Sequence, residues 1–153
     1  MVNVLVSSSH SVGESNLHLQ FTPSYRRDVF QSSVLREITT SLFFEQAKKL
    51  EIVLSALDYG PDHVHLFISQ WKNWSVASLA QYLKGVVSRI LRRDYSYLFE
   101  DKLWGKKFWS SGYFYRTVGV VTAETVRKYV AESQSKHWEK QLDGAQQVLL
   151  SYS

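Results

Sequence analysis

The chain has 153 residues, with 44% hydrophobic, 21% charged and 14% aromatic side chains and two prolines, which is the mixture of one globular domain. It contains no cysteine, which excludes a disulfide framework, thiolate-bound zinc or iron–sulfur clusters and a cysteine nucleophile. Its 18 basic against 14 acidic side chains leave a charge of +4, a mild excess that bears on function only where the basic groups cluster.

The opening Met1-Val2-Asn3-Val4-Leu5-Val6 has neither a basic flank nor a long apolar stretch, and no run of 18 apolar residues occurs anywhere. The expectation is therefore a cytoplasmic protein with no membrane span and no signal peptide. Ser7 to Asn16 is small and polar, so residues 1–16 are expected to form a loose N-terminal arm and residues 17–153 a single domain.

Leu17, Leu19 and Phe21 alternate with His18 and Gln20 before Pro23, the period of a half-buried strand, and Tyr25-Arg26-Arg27 follows in a loop. From Ser32 or Ser33 to Leu50, the apolar Val34, Leu35, Ile38, Leu42, Phe43, Ala47 and Leu50 recur at helical spacing, with serine available as the cap. Glu51 to Tyr59 and Val64 to Ser69 then make two strands of a hairpin around the turn Gly60-Pro61-Asp62.

A second helix runs from Val76 to about Arg93 behind Ser75, with a buried stripe of Leu79, Tyr82, Leu83, Val86, Val87, Ile90 and Leu91. Tyr113 to Val121 has strand propensity, and Thr122 with Glu124 opens a last helix to about Leu142. The order strand, helix, strand, strand, helix, strand, helix implies an α+β fold. It is a ferredoxin-like (RRM-like) split βαβ antiparallel sheet with helices on one face, plus a C-terminal helix.

Between Lys84 and Lys107, basic side chains interleave with Tyr82, Tyr95, Tyr97, Phe99, Trp104, Phe108 and Trp109. Cations neutralise phosphates and flat rings stack unpaired bases, so this mixture suits single-stranded nucleic acid; an amphipathic helix followed by an aromatic core segment would also produce it. His63-Val64-His65 places two imidazoles on one face of a strand, a metal half-site, while Val64, Leu66 and Ile68 enter the core opposite. Asp62 could join that site, orient an imidazole or complete the turn. Tyr129, beside Val126 and Val130 on the last helix, is by pattern a half-buried packing residue whose phenol needs a base, metal or water to become a nucleophile. His10, His18 and His137 read as surface or packing residues. No glycine-rich phosphate loop, His-Glu-x-x-His helix or Gly-x-Ser-x-Gly elbow occurs, so no nucleotide cofactor is expected.

Taken together, several segments resemble the single-tyrosine HUH transposases of the insertion-sequence 200/605 type, where HUH denotes histidine, hydrophobic residue, histidine. They are Phe21 to Arg27, Pro61 to Leu66, Leu83-Lys84-Gly85 with Ser88-Arg89, Leu103-Trp104, Gly112 to Phe114, Thr117 to Gly119 and Val126 to Tyr129. The resemblance implies a metal-dependent enzyme that cuts and rejoins single-stranded DNA at the hairpin-bearing ends of a mobile element, through a 5′-phosphotyrosine. It implies His63 and His65 as metal ligands, Tyr129 as nucleophile, magnesium or manganese as the metal, and a homodimer with shared active sites.

The family's third ligand is a glutamine four residues after the tyrosine. Here Ser133 occupies that place and Gln134 follows it, about 140° further round the helix from Tyr129, so Gln134, Ser133 or water completes the set. Arg26, Arg27, Lys84, Arg89, Arg92 and Arg93 are candidate DNA contacts. If the Tyr113 to Val121 strand lies at a sheet edge, a second copy can pair with it. Two other functions fit the sequence: a domesticated relative that cleaves hairpins in repeated chromosomal sequences, and a non-catalytic single-stranded nucleic-acid-binding module. A metal phosphodiesterase using water instead of tyrosine is a third.

Overall fold

Residues 16–71 and 73–118 are described by the computed structural model; the expected N-terminal arm up to residue 15, the remainder of the last expected strand, and the expected C-terminal helix with Tyr129, Ser133 and Gln134 lie outside the described residues. The elements follow the expected order: β1 (Asn16–Phe21), α1 (Ser33–Leu50), β2 (Val53–Gly60), β3 (His63–Ser69), α2 (Val76–Asp94) and β4 (Phe114–Val118). The fold is α+β, with four strands in the order β2-β3-β1-β4 and every neighbouring pair antiparallel. β3 is thus inserted between the two strands that α1 connects, and β4 lies at the edge of the sheet among the described residues.

Alternation decides which face is apolar. Leu17, Leu19 and Phe21 of β1 and Val64, Leu66 and Ile68 of β3 are buried in one cluster with Leu35 and Phe43 of α1 and Leu79, Leu83 and Val87 of α2. Burying each such side chain contributes roughly 1.5–3 kcal/mol. In β2 the core residues are Leu54, Leu57 and Tyr59, a change of parity that a strict strand does not allow. A register shift between Leu54 and Ala56 supplies the extra residue, and Ser55 there bonds its hydroxyl to that of Ser69 at 3.1 Å.

Both helices begin where a serine oxygen accepts an early amide: Ser32 from Leu35 N, and Ser75 from Ser78 N. Each cap contributes about 1 kcal/mol. The buried stripe of α1 is Leu35, Thr39, Leu42, Phe43, Gln46, Ala47 and Leu50. Val34, expected within it, is 50% exposed, because the stripe is rotated to bring in Thr39 and Gln46. In α2 Tyr82 stands at the rim with its hydroxyl 3.3 Å from Gln46 Oε1 rather than in the core. β2 starts two residues later than its apolar run because Glu51 caps α1 in the left-handed region at φ 58°. No helix among the described residues is long and apolar enough to cross a membrane.

Candidate active site

The face of the sheet opposite the helices carries the polar residues. Cross-strand partners share a face, so Asp58 on β2, His65 on β3, Gln20 on β1 and Phe114 on β4 form one row across the sheet. The adjoining row contains Ala56, Phe67, His18 and Arg116.

His63 and His65 project from this face as their spacing predicts, with ring centroids 4.8 Å apart and planes at 81°. Both are buried. Gly60 is paired with His63 across the hairpin, and a Cβ there would overlap the His63 ring, so glycine is what admits the imidazole.

Each ring is held at Nδ1. His63 Nδ1 donates to Asp62 Oδ1 at 2.8 Å, and Asp62 Oδ2 accepts from Arg26 Nε at 3.3 Å. Asp62 therefore orients an imidazole and ties the turn after β1 to the hairpin. His65 Nδ1 lies 2.6 Å from His18 Nε2. With both Nδ1 atoms engaged, a metal would be met at Nε2 of each ring, the pattern that fixes tautomer and orientation in histidine metal sites. This donor chemistry fits a divalent cation bound by two imidazoles. Among the described residues no group of three or more His, Asp or Glu side chains is placed to hold one, so the remaining donors have to come from other residues or water.

His18 is the residue that the sequence does not reveal. It packs as expected, stacked on Phe67 with centroids 4.7 Å apart and planes at 7°, but it also contacts a candidate ligand. Burial and the nearby Arg116 guanidinium lower its pKa to about 4, so it is neutral at pH 7. Burial raises the Asp58 carboxyl to about 7 against a smaller opposing effect of the Tyr59 amide. Of the two groups, His18 is thus neutral at pH 7 and Asp58 is about half protonated.

The candidate DNA contacts divide. Lys84 Nζ donates to the carbonyls of Ser110 at 2.8 Å and Gly112 at 2.6 Å, and its burial lowers its pKa. Arg92 donates to Gly105 O at 2.6 Å, Arg93 pairs with Asp94 and Arg26 with Asp62. Arg27 and Arg89 are exposed. The aromatic stretch divides too: Phe99, Phe108 and Trp109 are core residues, whereas Tyr97 and Trp104 are exposed.

Comparison with known proteins gives consistent relatives. The family described as "Transposase IS200 like" matches residues 11–133. The ISDra2 transposase TnpA of Deinococcus radiodurans is 29% identical over 122 residues, covering 78% of this chain and 84% of that protein. The transposase for insertion sequence element IS200 of Salmonella typhimurium is 28% identical over 124 residues, covering 81% of this chain and 80% of that one. In fold, the chain is similar to a crystal structure of a Deinococcus radiodurans protein assigned as a transposase, with a TM-score of 0.63 and 22% identity over 82% of this chain and 95% of that one.

Proposed function

This chain belongs to the IS200-like transposase family, and from that membership we propose that it cleaves and rejoins single-stranded DNA at element ends through a 5′-phosphotyrosine on Tyr129. The observation that carries the proposal is the paired anchoring of His63 Nδ1 by Asp62 and His65 Nδ1 by His18, which fixes two imidazoles on one sheet face.

His63 and His65 would hold magnesium or manganese through Nε2, with Gln134, Ser133 or water completing the set. When bound, the metal would polarise the scissile phosphate and stabilise charge on its non-bridging oxygens. Arg26 keeps Asp62 in place, and Asp62 keeps the His63 ring from turning. Tyr129, deprotonated at its phenol, forms the Oη–P bond as the P–O3′ bond breaks, and the leaving 3′ oxygen takes up a proton. The phosphodiester energy is kept in the phosphotyrosine, so attack by another strand's 3′-hydroxyl reverses the step and releases the phenol without ATP.

The substrate is single-stranded DNA bearing hairpins at the element ends, with exposed Arg27 and Arg89 among its contacts. The protein acts as a homodimer with shared active sites. β4 lies at the sheet edge among the described residues, with exposed Phe114 and Tyr115, and so offers a ladder to a second copy. To test this reading, the protein is incubated with labelled strands from both flanks of its gene and magnesium or manganese. A denaturant-resistant adduct that chelator and Tyr129→Phe abolish supports it; binding without any adduct favours the non-catalytic module.

A further inference from the structure

Away from the histidines, a cavity of about 450 Å³ opens between the turn after β1 and the loop that precedes β4. Its walls include Tyr25, Arg27, Lys102, Trp104, Lys106 and Lys107, and no carboxylate among the described residues lines it. Asp28 pairs with Lys102 at 2.9 Å. Arg27, Lys106 and Lys107 have no carboxylate partner among the described residues, so their charge is available to an anion.

The two aromatic rings are unusual in their placement. Tyr25 is 85% and Trp104 81% exposed, the highest values of any large hydrophobic side chain among the described residues, and both line this one cavity. Tyr25 and Arg26 both have left-handed backbones, at φ 57° and 52°, a conformation that costs free energy at any residue with a side chain. The turn is fixed in spite of that cost: Ser24 N donates to Phe108 O at 2.8 Å and Ser24 Oγ to Lys107 O at 3.0 Å. Strain maintained by clamps, to display an aromatic ring to solvent, points to a ligand.

We infer that this cavity binds one unpaired nucleotide of the single-stranded DNA substrate, its base stacking on Tyr25 and Trp104 and its phosphates meeting Arg27, Lys106 and Lys107. Aromatic stacking tolerates any base, and the cations follow the backbone, so the site grips the strand rather than reads its sequence. The volume lies within the range of small-ligand sites. The same turn reaches the candidate active site, because Arg26 bonds Asp62 and Asp62 bonds His63. A nucleotide seated here would hold the strand to the turn that carries Arg26. The inference rests on single-stranded DNA being the substrate, as proposed above.

The test is fluorescence anisotropy of the full chain with labelled (dT)8 and with a strand of the same length and charge that is abasic throughout. Trp104→Ala and Tyr25→Gly are expected to weaken (dT)8 binding about 5- to 50-fold, while Trp104→Phe stays within about threefold of wild type. Glycine also removes the left-handed strain, so Tyr25→Gly is expected to melt at or above the wild-type temperature. The wild type should lose affinity for the abasic strand, and Trp104→Ala should lose less. Wild-type affinity in both ring variants, or equal losses on the abasic strand, would overturn the inference. Wild-type adduct formation with undiminished binding in the ring variants would remove the cavity alone. Weakened binding in these variants without any adduct from the wild type would keep the cavity and remove the strand-transfer reading.

Discussion

His18 Nε2 stands 2.6 Å from His65 Nδ1, joining residues 47 apart in the chain across two neighbouring strands. When His18 accepts the Nδ1 proton of His65, the Nε2 of His65 is left with its lone pair for a metal, as Asp62 arranges for His63. His18→Phe keeps a flat ring against Phe67 but has no acceptor. It is expected to lower Mn²⁺ affinity in calorimetry by about 10- to 100-fold, with His18→Gln regaining part of the loss. Unchanged affinity in His18→Phe would show that His18 only packs.

Gly60→Ala places a methyl group where the His63 ring lies. The ring has to turn, which breaks its bond to Asp62, so metal affinity and strand cleavage should fall at least tenfold while the circular dichroism spectrum stays that of the wild type. Full metal binding by the variant would contradict this role of the glycine.

Among the basic side chains, structure separates anchors from free cations. Lys84 holds two loop carbonyls, so Lys84→Met is expected to cost about 1–3 kcal/mol in urea unfolding. Arg89, exposed on α2, should behave in the opposite way. Arg89→Ala leaves stability within about 0.5 kcal/mol and, if Arg89 touches phosphate, reduces the salt dependence of DNA binding by about one counterion. A reversal of the two phenotypes would refute the division.

The buried titratable groups give the metal-free protein a definite pH response. Asp58 is held up at about 7 from 3.8, so over that interval the folded chain keeps a proton that the unfolded chain has released, and stability falls as pH rises. His18 is held down at about 4 from 6.5, so over that interval the unfolded chain takes up a proton that the folded chain refuses, and stability falls as pH falls. The two slopes oppose one another between about pH 4 and 6.5. Asp58→Asn removes the first. It is expected to be more stable than wild type at pH 7, by up to about 4 kcal/mol, and to lose stability on acidification from 6.5 to 4. Parallel urea-unfolding profiles for the two proteins would contradict the assignment.

What was legible in the sequence was whatever depends on neighbours a few residues away. The alternation of Leu17, Leu19 and Phe21 and the caps Ser32 and Ser75 appear as expected, and the hairpin turn is the expected one shortened to Pro61-Asp62, with Gly60 and His63 paired in the strands. The shared face of His63 and His65 follows from strand period alone. His18 was missed because its function depends on the pairing of β1 with β3, a long-range register no local pattern encodes. Helical spacing puts Val34 and Tyr82 in buried stripes, but the stripe of α1 takes in polar Thr39 and Gln46, which turns Val34 outward and gives the Tyr82 hydroxyl a partner at the rim. The exposed pair Tyr25 and Trp104 likewise depends on a contact between segments about eighty residues apart.

The proposed chemistry stands on which side chain becomes attached to DNA. The chain has nine tyrosines, so the decisive measurement is tandem mass spectrometry of the protease-digested adduct formed with metal on strands from the flanks of the gene. The expected result is a nucleotide joined through its 5′ phosphate to the peptide containing Tyr129, and its disappearance in His63→Ala. A nucleotide on any other residue, or an adduct that persists in His63→Ala, would contradict it.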